Sequence, residues 1–421
     1  MLTNRLRYEL SIFNQLGPDA KKLVLSIFCQ IIANNLIFVF ANAYLYISTH
    51  NISSVAVFNL GVYIAILLGF YLNTYLIKLI NIRHIFIPSS VLQSGSLMIL
   101  FFFKDLSLWS IFGVGLIVGL FCGLYWSNRN FIYPTLTKDN ERDYISGIHT
   151  LVGNLSSVIL PLAAGWLIVW ARTQPYLNAT YAYMAIMGFG VLMLFIGTIY
   201  LKSIKDFPTP QISALRPRKV SLDWKLFRTF VVASTAQMAV GATVMEIMTL
   251  LFLGDEGVLG TIKSILAIVV GAVIYVIGRK MLPRDRFRLL LISTLPLLIA
   301  ALLLLIQFSQ LTLMLYLVAM ILSGNIFWFV YIPIFSKATE MQDGGKIENN
   351  YVYVLDHEFF INLGRVSSML FILFAFHYWD ERTGLTIVVC VGAIMQALGL
   401  AAARKLIRLQ NSKIINHVFT P

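Results

Sequence analysis

The run from Leu289 to Ser336, LLLISTLPLLIAALLLLIQFSQLTLMLYLVAMILSGNIFWFVYIPIFS, holds 48 residues without a single charge. Drawn out as one helix at 1.5 Å per residue it would reach about 72 Å, more than twice the roughly 30 Å of bilayer hydrocarbon. Two crossings fit it, with a turn at Gln307-Phe308-Ser309-Gln310. Similar stretches recur near 23–48, 54–77, 85–103, 107–134, 144–171, 178–201, 226–252, 258–278, 350–378 and 383–403. Of the 421 residues, 58% are hydrophobic and 12% charged, whereas a soluble domain carries about 25% charge. A transmembrane barrel would instead show alternating segments of about ten residues. The pattern predicts an all-α membrane protein with twelve transmembrane helices.

The net charge of +13 is a matter of topology rather than of nucleic-acid binding. Of the 32 Lys and Arg, three (Lys104, Arg172, Arg382) fall in odd-numbered loops and three (Arg129, Lys263, Arg365) within apolar runs. The rest occupy the amino-terminal tail, the even-numbered loops and the carboxy-terminal tail. The positive-inside rule then predicts both termini in the cytoplasm. Cys29, Cys122 and Cys390 lie in predicted spans without metal-ligand spacing, so neither metal nor cofactor is expected. Leu2, Leu6, Leu10, Phe13 and Leu16 follow helical spacing, which suits a helix on the cytoplasmic interface or an ordinary cytosolic cap.

The longest polar interruption, Lys202 to Asp223, carries Pro208, Pro210 and Pro217 among five basic residues and separates six spans from six. Such a linker cannot satisfy its backbone in hydrocarbon. The expected layout is an N-terminal segment 1–22, a bundle 23–201, a linker 202–224, a second bundle 225–406 and a tail 407–421. Gly153-Asn154-Leu155-Ser156-Ser157 in the fifth span matches Gly364-Arg365-Val366-Ser367-Ser368 in the eleventh. Gly69 and Lys78 likewise match Gly271 and Lys280, and Gln30 matches Gln237, so the halves read as a duplication.

In helix count, 6+6 division, central linker and half-to-half similarity the chain resembles the major facilitator superfamily over essentially its full length. The family's signature after helix 2 is eroded here to Gly69-Phe70-Tyr71-Leu72-Asn73 with Lys78 and Arg83, Asn73 standing where the acidic member belongs. Its helix 4 arginine signature is missing before Gly119-x-x-x-Gly123. Tyr125-Trp126, Arg129-Asn130 and the segment Thr137 to Asp143 resemble a little-characterised bacterial branch. The resemblance implies two six-helix bundles, alternating access, a bacterial inner (plasma) membrane location, a monomer, and a cavity lined by helices 1, 4, 7 and 10. On those helices the polar and aromatic candidates for substrate binding are Gln30, Asn34, Asn35, Asn42, Trp126, Arg129, Gln237, Asn325, Trp328 and Tyr331. Amides and aromatics suit an uncharged or amphipathic organic solute, though polar contacts between helices explain isolated Asn and Gln equally well.

Ionisable groups within a span cost about 2.5–3.5 kcal/mol each at the helix centre, so they face partners or watery cavities. Glu246 and Lys263 flank the turn near Asp255 at similar distance and are expected to pair. In the eleventh span, Glu358, Asn362 and Arg365 share a face at spacings of four and three residues, while Asp356 points away. A protonatable Glu358 beside Arg365, with Arg129 as a cross-bundle partner, fits proton coupling, and Asp356, Asn362, Glu246 and Lys263 are the further candidates for coupling or gating; a static ion pair in the eleventh span and a hairpin clasp without a transport role are the alternatives. No nucleotide-binding loop is present. The function expected is therefore a proton-coupled secondary transporter and not an enzyme, with a lipid flippase, or less readily a membrane-embedded enzyme, as the other readings.

Overall fold

A computed structural model describes residues 13, 16–102, 107–136, 139–205, 207, 214–217, 220–280, 285–340, 342 and 350–419. The expected interfacial segment over 1–12 and most of the 208–219 linker lie outside them. Twelve long helices run through the described residues, and each contains a stretch apolar enough to cross a membrane. They are α1 (Pro18–Thr49), α2 (Ile52–Leu79), α3 (Ile82–Gly95, continued as 3-10 helix over Ser96–Phe102), α4 (Leu108–Leu136), α5 (Asp139–Thr173) and α6 (Ala179–Lys202). The second half holds α7 (Leu222–Phe252), α8 (Glu256–Lys280), α9 (Arg286–Ile306), α10 (Gln310–Glu340), α11 (Asn350–Tyr378) and α12 (Glu381–Phe419).

The charge-free run divides where expected, α9 ending at Ile306 and α10 opening at Gln310. The largest departure is α12, which continues to Phe419, well beyond the expected end near 403. No Gly or Pro interrupts the chain between Leu400 and Phe419, so nothing there costs enough to stop helix propagation. Polar residues in the short turns start the helices. Asn51, Asn81 and Asn178 accept from the backbone N–H two residues on, and Ser221 from that of Trp224, satisfying orphan donors at each N-terminus. Asn51 and Asn178, which by pattern alone resemble glycosylation acceptors, are thus helix caps.

The duplication is visible in packing: α1 lies on α6 as α7 lies on α12, and α3 on α4 as α9 on α10. Within the first bundle α2 and α4 pack most extensively. Added Cβ atoms at Gly115, Gly119 and Gly123 of α4 would stand 2.4, 2.2 and 2.3 Å from the carbonyl oxygens of Phe58, Val62 and Ile66 of α2. Only a missing side chain permits that approach, the usual device for close helix pairs in lipid. The bundles meet along two seams, α5 with α8 and α2 with α11. These seams frame the interior that α1, α7 and α10 also line.

Candidate functional site

Between the bundles lies a cavity of about 240 Å³ whose wall includes Asn35 of α1, Asn154 and Ser157 of α5, Lys263 of α8 and Asn325 of α10. A second cavity, about 260 Å³, opens within the second bundle beside Gln237, Gln396 and Trp328. Both have Ile321 and Asn325 in their walls, so the recess is in two parts that adjoin the same turn of α10. Gly324 helps to open it, since no atom lies within 4 Å of where its Cβ would stand. Asn325 donates to its own helix at Ile321 O over 2.8 Å, which leaves its side-chain oxygen for a ligand. The Trp328 ring lies edge-on to Tyr331, centroids 5.1 Å apart, and stays partly exposed.

The sole charged residue in that lining is Lys263, and its Nζ donates to Glu246 Oε1 at 2.6 Å. The pair joins α7 to α8, as the equal spacing about Asp255 predicts. Glu246 Oε2 is buried without a hydrogen-bond partner. A wall of amides, one hydroxyl, thioethers and an indole with a self-neutralised ion pair favours solutes without net charge, because an unpaired anion or cation would enter a site with nothing to compensate it.

Polar clasps join the bundles toward both ends of the helices. On the side holding the chain termini, the Tyr351 hydroxyl of α11 meets Ser127 Oγ of α4 at 2.6 Å and accepts from Asn73 Nδ2 of α2 at 3.2 Å. Asn73 and Asn128 exchange amide bonds of 3.0 Å in both directions. On the far side, Glu256 of α8 accepts from Arg172 Nη2 at 2.5 Å and from the Tyr183 hydroxyl at 3.0 Å. Backbones touch there as well: a Cβ on Gly260 would stand 2.2 Å from Pro161 O, and one on Gly165 2.2 Å from Glu256 O. The first clasp is neutral and the second ionic.

Other sequence candidates have different surroundings. Asp356 receives Arg228 Nε at 2.8 Å, Arg228 Nη2 at 2.5 Å and Trp224 Nε1 at 2.6 Å, a fork that ties α11 to α7. Glu358 accepts from Asn362 Nδ2 at 3.4 Å. Arg365 makes no ion pair within 4.0 Å among the described residues; its guanidinium lies over the Tyr63 ring of α2, 5.3 Å from the centroid. Nor does Arg129 meet Glu358 here, although the terminal side is closed. Arg129 stacks on Trp126 at 4.7 Å and lies 3.5 Å from His149 Nε2.

Of the residues expected to bind substrate, Asn35, Gln237, Asn325 and Trp328 line the recess. Gln30 is buried elsewhere, Asn34 accepts from Ser94 and Asn42 from Asn59. Tyr331 stacks among Phe227, Phe327 and Phe335. Asn34, Asn42 and Tyr331 thus bond or pack within their own bundle. Sequence reasoning read Asn154 and Ser157 only as marks of the repeat, and it passed over Glu256. Arg172 carried a signal, being one of three basic residues in the odd loops.

A family model for the Major Facilitator Superfamily matches residues 23–345. No curated protein sequence matches the chain. Among solved structures, a mutant of the nucleoside transporter NupG is similar at 12% identity and TM-score 0.61, covering 93% of this chain and 100% of that one. A bacterial homologue of the iron transporter ferroportin, inward-facing, is similar at 14% identity and TM-score 0.63 over 92% and 98%. A mutant of the peptide transporter POT matches at 12% identity and TM-score 0.62 over 93% and 95%. At such identities the likeness is one of fold.

Proposed function

Because the chain belongs to the Major Facilitator Superfamily, matched over residues 23–345, we propose that it is a secondary active carrier of a small, uncharged organic or amphipathic solute. The observation that carries this reading is the amide-lined recess at the bundle interface, with one polar clasp between the bundles toward each end of the helices. Transport then consists of breaking one clasp while the other holds, as the two bundles rock about the solute. Asn35, Asn154, Asn325 and Gln237 supply donors and acceptors, and Trp328 supplies an aromatic face. The solute exchanges its water for these groups, so the cost of dehydration is offset only when its own polar atoms find partners.

Protons are the coupling ion in this reading, and Glu358 is the group that carries them. It lies on α11, the helix whose Tyr351 forms the neutral clasp and whose Arg365 reaches across to Tyr63 of the first bundle. A change of charge at Glu358 therefore acts on a helix that spans the seam. The carrier works as a monomer, with the linker and both termini in the cytoplasm of a bacterial cell.

The test is uptake and efflux by reconstituted protein against a panel of metabolites, drugs and labelled lipids, with and without a pH gradient. For the solute so identified, Asn325→Ala and Trp328→Ala each raise KM by about fivefold or more, the scale of one lost hydrogen bond or aromatic contact. Unchanged transport in both variants would reject the recess as the binding site. Glu358→Gln keeps solute binding and loses the dependence on the pH gradient; a wild-type pH response in that variant rules out its coupling role.

A further inference from the structure

On the outer surface of the second bundle a groove of about 570 Å³ runs between α7 and α12, with Phe360 of α11 on its wall. Its two ends differ in chemistry. Lys225, Arg228 and Thr229 line the end nearest the start of α7, and Val232, Ala233, Met395, Leu398 and Gly399 line the remainder. From Lys225 to Ala233 is eight residues, about 12 Å along the helix, so the groove descends from the level of lipid headgroups into hydrocarbon. Leu398 is 65% and Met395 37% exposed, both within the apolar stretch of α12, which faces acyl chains rather than water. The floor is low because Gly399 has no side chain: a Cβ there would stand 2.9 Å from that of Ala233.

The polar end is built for a phosphate. Arg228 spends two of its five N–H groups on Asp356 and rests on the Phe360 ring, 4.6 Å from the centroid. Three N–H groups remain. Asp356 neutralises one of the two cations, so Lys225 leaves this end with a net charge of about one positive unit, complementary to one phosphodiester.

We propose that this groove is a binding site for an anionic phospholipid, the phosphate held by Lys225 and Arg228 and an acyl chain lying along Val232, Leu398 and Gly399. The occupant is a lipid because the apolar two thirds of the groove open toward hydrocarbon, where a soluble anion has no access. A zwitterionic headgroup would bring its own ammonium toward Lys225 and bind less well. The proposal is independent of what the carrier transports.

Purified protein in detergent, given equal phosphatidylglycerol and phosphatidylcholine and examined by native mass spectrometry, should retain phosphatidylglycerol in preference. Lys225→Ala should reduce that preference about fivefold, the factor for one interfacial cation. Leu398→Trp, which fills the groove without touching a charge, should lower occupancy by either lipid. Lys405→Ala, an exposed basic residue of α12 outside the groove, should change nothing. Equal retention of the two lipids by wild type would overturn the site, as would an equal loss in Lys405→Ala or displacement of the lipid by millimolar inorganic phosphate.

Discussion

Removing the Lys263 ammonium should injure the protein more than removing both members of its pair with Glu246. The two side chains are 16% and 6% exposed and meet at 2.6 Å, so water screens them little. Breaking such a pair costs about 3–5 kcal/mol, because the survivor is left charged in a low dielectric, while replacing both partners with apolar groups is often neutral. Glu246 is the worse survivor, since its Oε2 is already buried without a partner, whereas Lys263 reaches the recess. Lys263→Met should therefore lose about 3 kcal/mol, or about 6–12 °C in melting temperature for a bundle of this size. Glu246→Leu should lose less, and the double variant Glu246→Leu/Lys263→Met should lose under about 1.5 kcal/mol. Thermal melting of the four proteins in one detergent gives the coupling, expected to exceed about 1.5 kcal/mol. Additive losses in the double variant would refute the pairing argument.

The ionic clasp should govern access from the far side: in a protein with Cys29, Cys122 and Cys390 replaced, Ser157→Cys should react faster with a soluble thiol reagent once Glu256→Gln weakens the bond to Arg172, and an unchanged rate would count against a gate. Gly119→Ala should destabilise by about 1–3 kcal/mol through overpacking, since its Cβ would meet Val62 O at 2.2 Å; an unaltered melting curve would show that α2 and α4 can separate freely. Orientation is tested on intact cells, where Ser107→Cys should react with an impermeant reagent and Ser213→Cys should not.

The hairpin contact between Glu246 and Lys263 was legible because a tight turn fixes the depth of residues counted away from it. The site was legible only in part. Asn325 and Trp328 stood out as polar and aromatic residues in an apolar helix, yet so did Asn34 and Asn42, and periodicity cannot say which of them meets a neighbour and which a cavity. Glu256 and Arg172 are 84 residues apart, and no local rule joins them. Asn73 was legible as a departure from the family's signature, but its contact with Tyr351 depends on a helix that begins more than 270 residues later.

By itself, the sequence determined the twelve crossings, their grouping in sixes and the turn after Ile306, because the cost of placing charge and unpaired backbone in hydrocarbon acts locally along the chain. Tertiary structure decided which charges are compensated and which amides face an opening. Asp356 is held by Arg228, Glu256 by Arg172 and Tyr183, and Arg365 lies against Tyr63. Each of these depends on the rotation and approach of helices distant in sequence, which are set by close packing at residues such as Gly119, Gly165 and Gly260 rather than by hydrophobicity that every face of these helices shares.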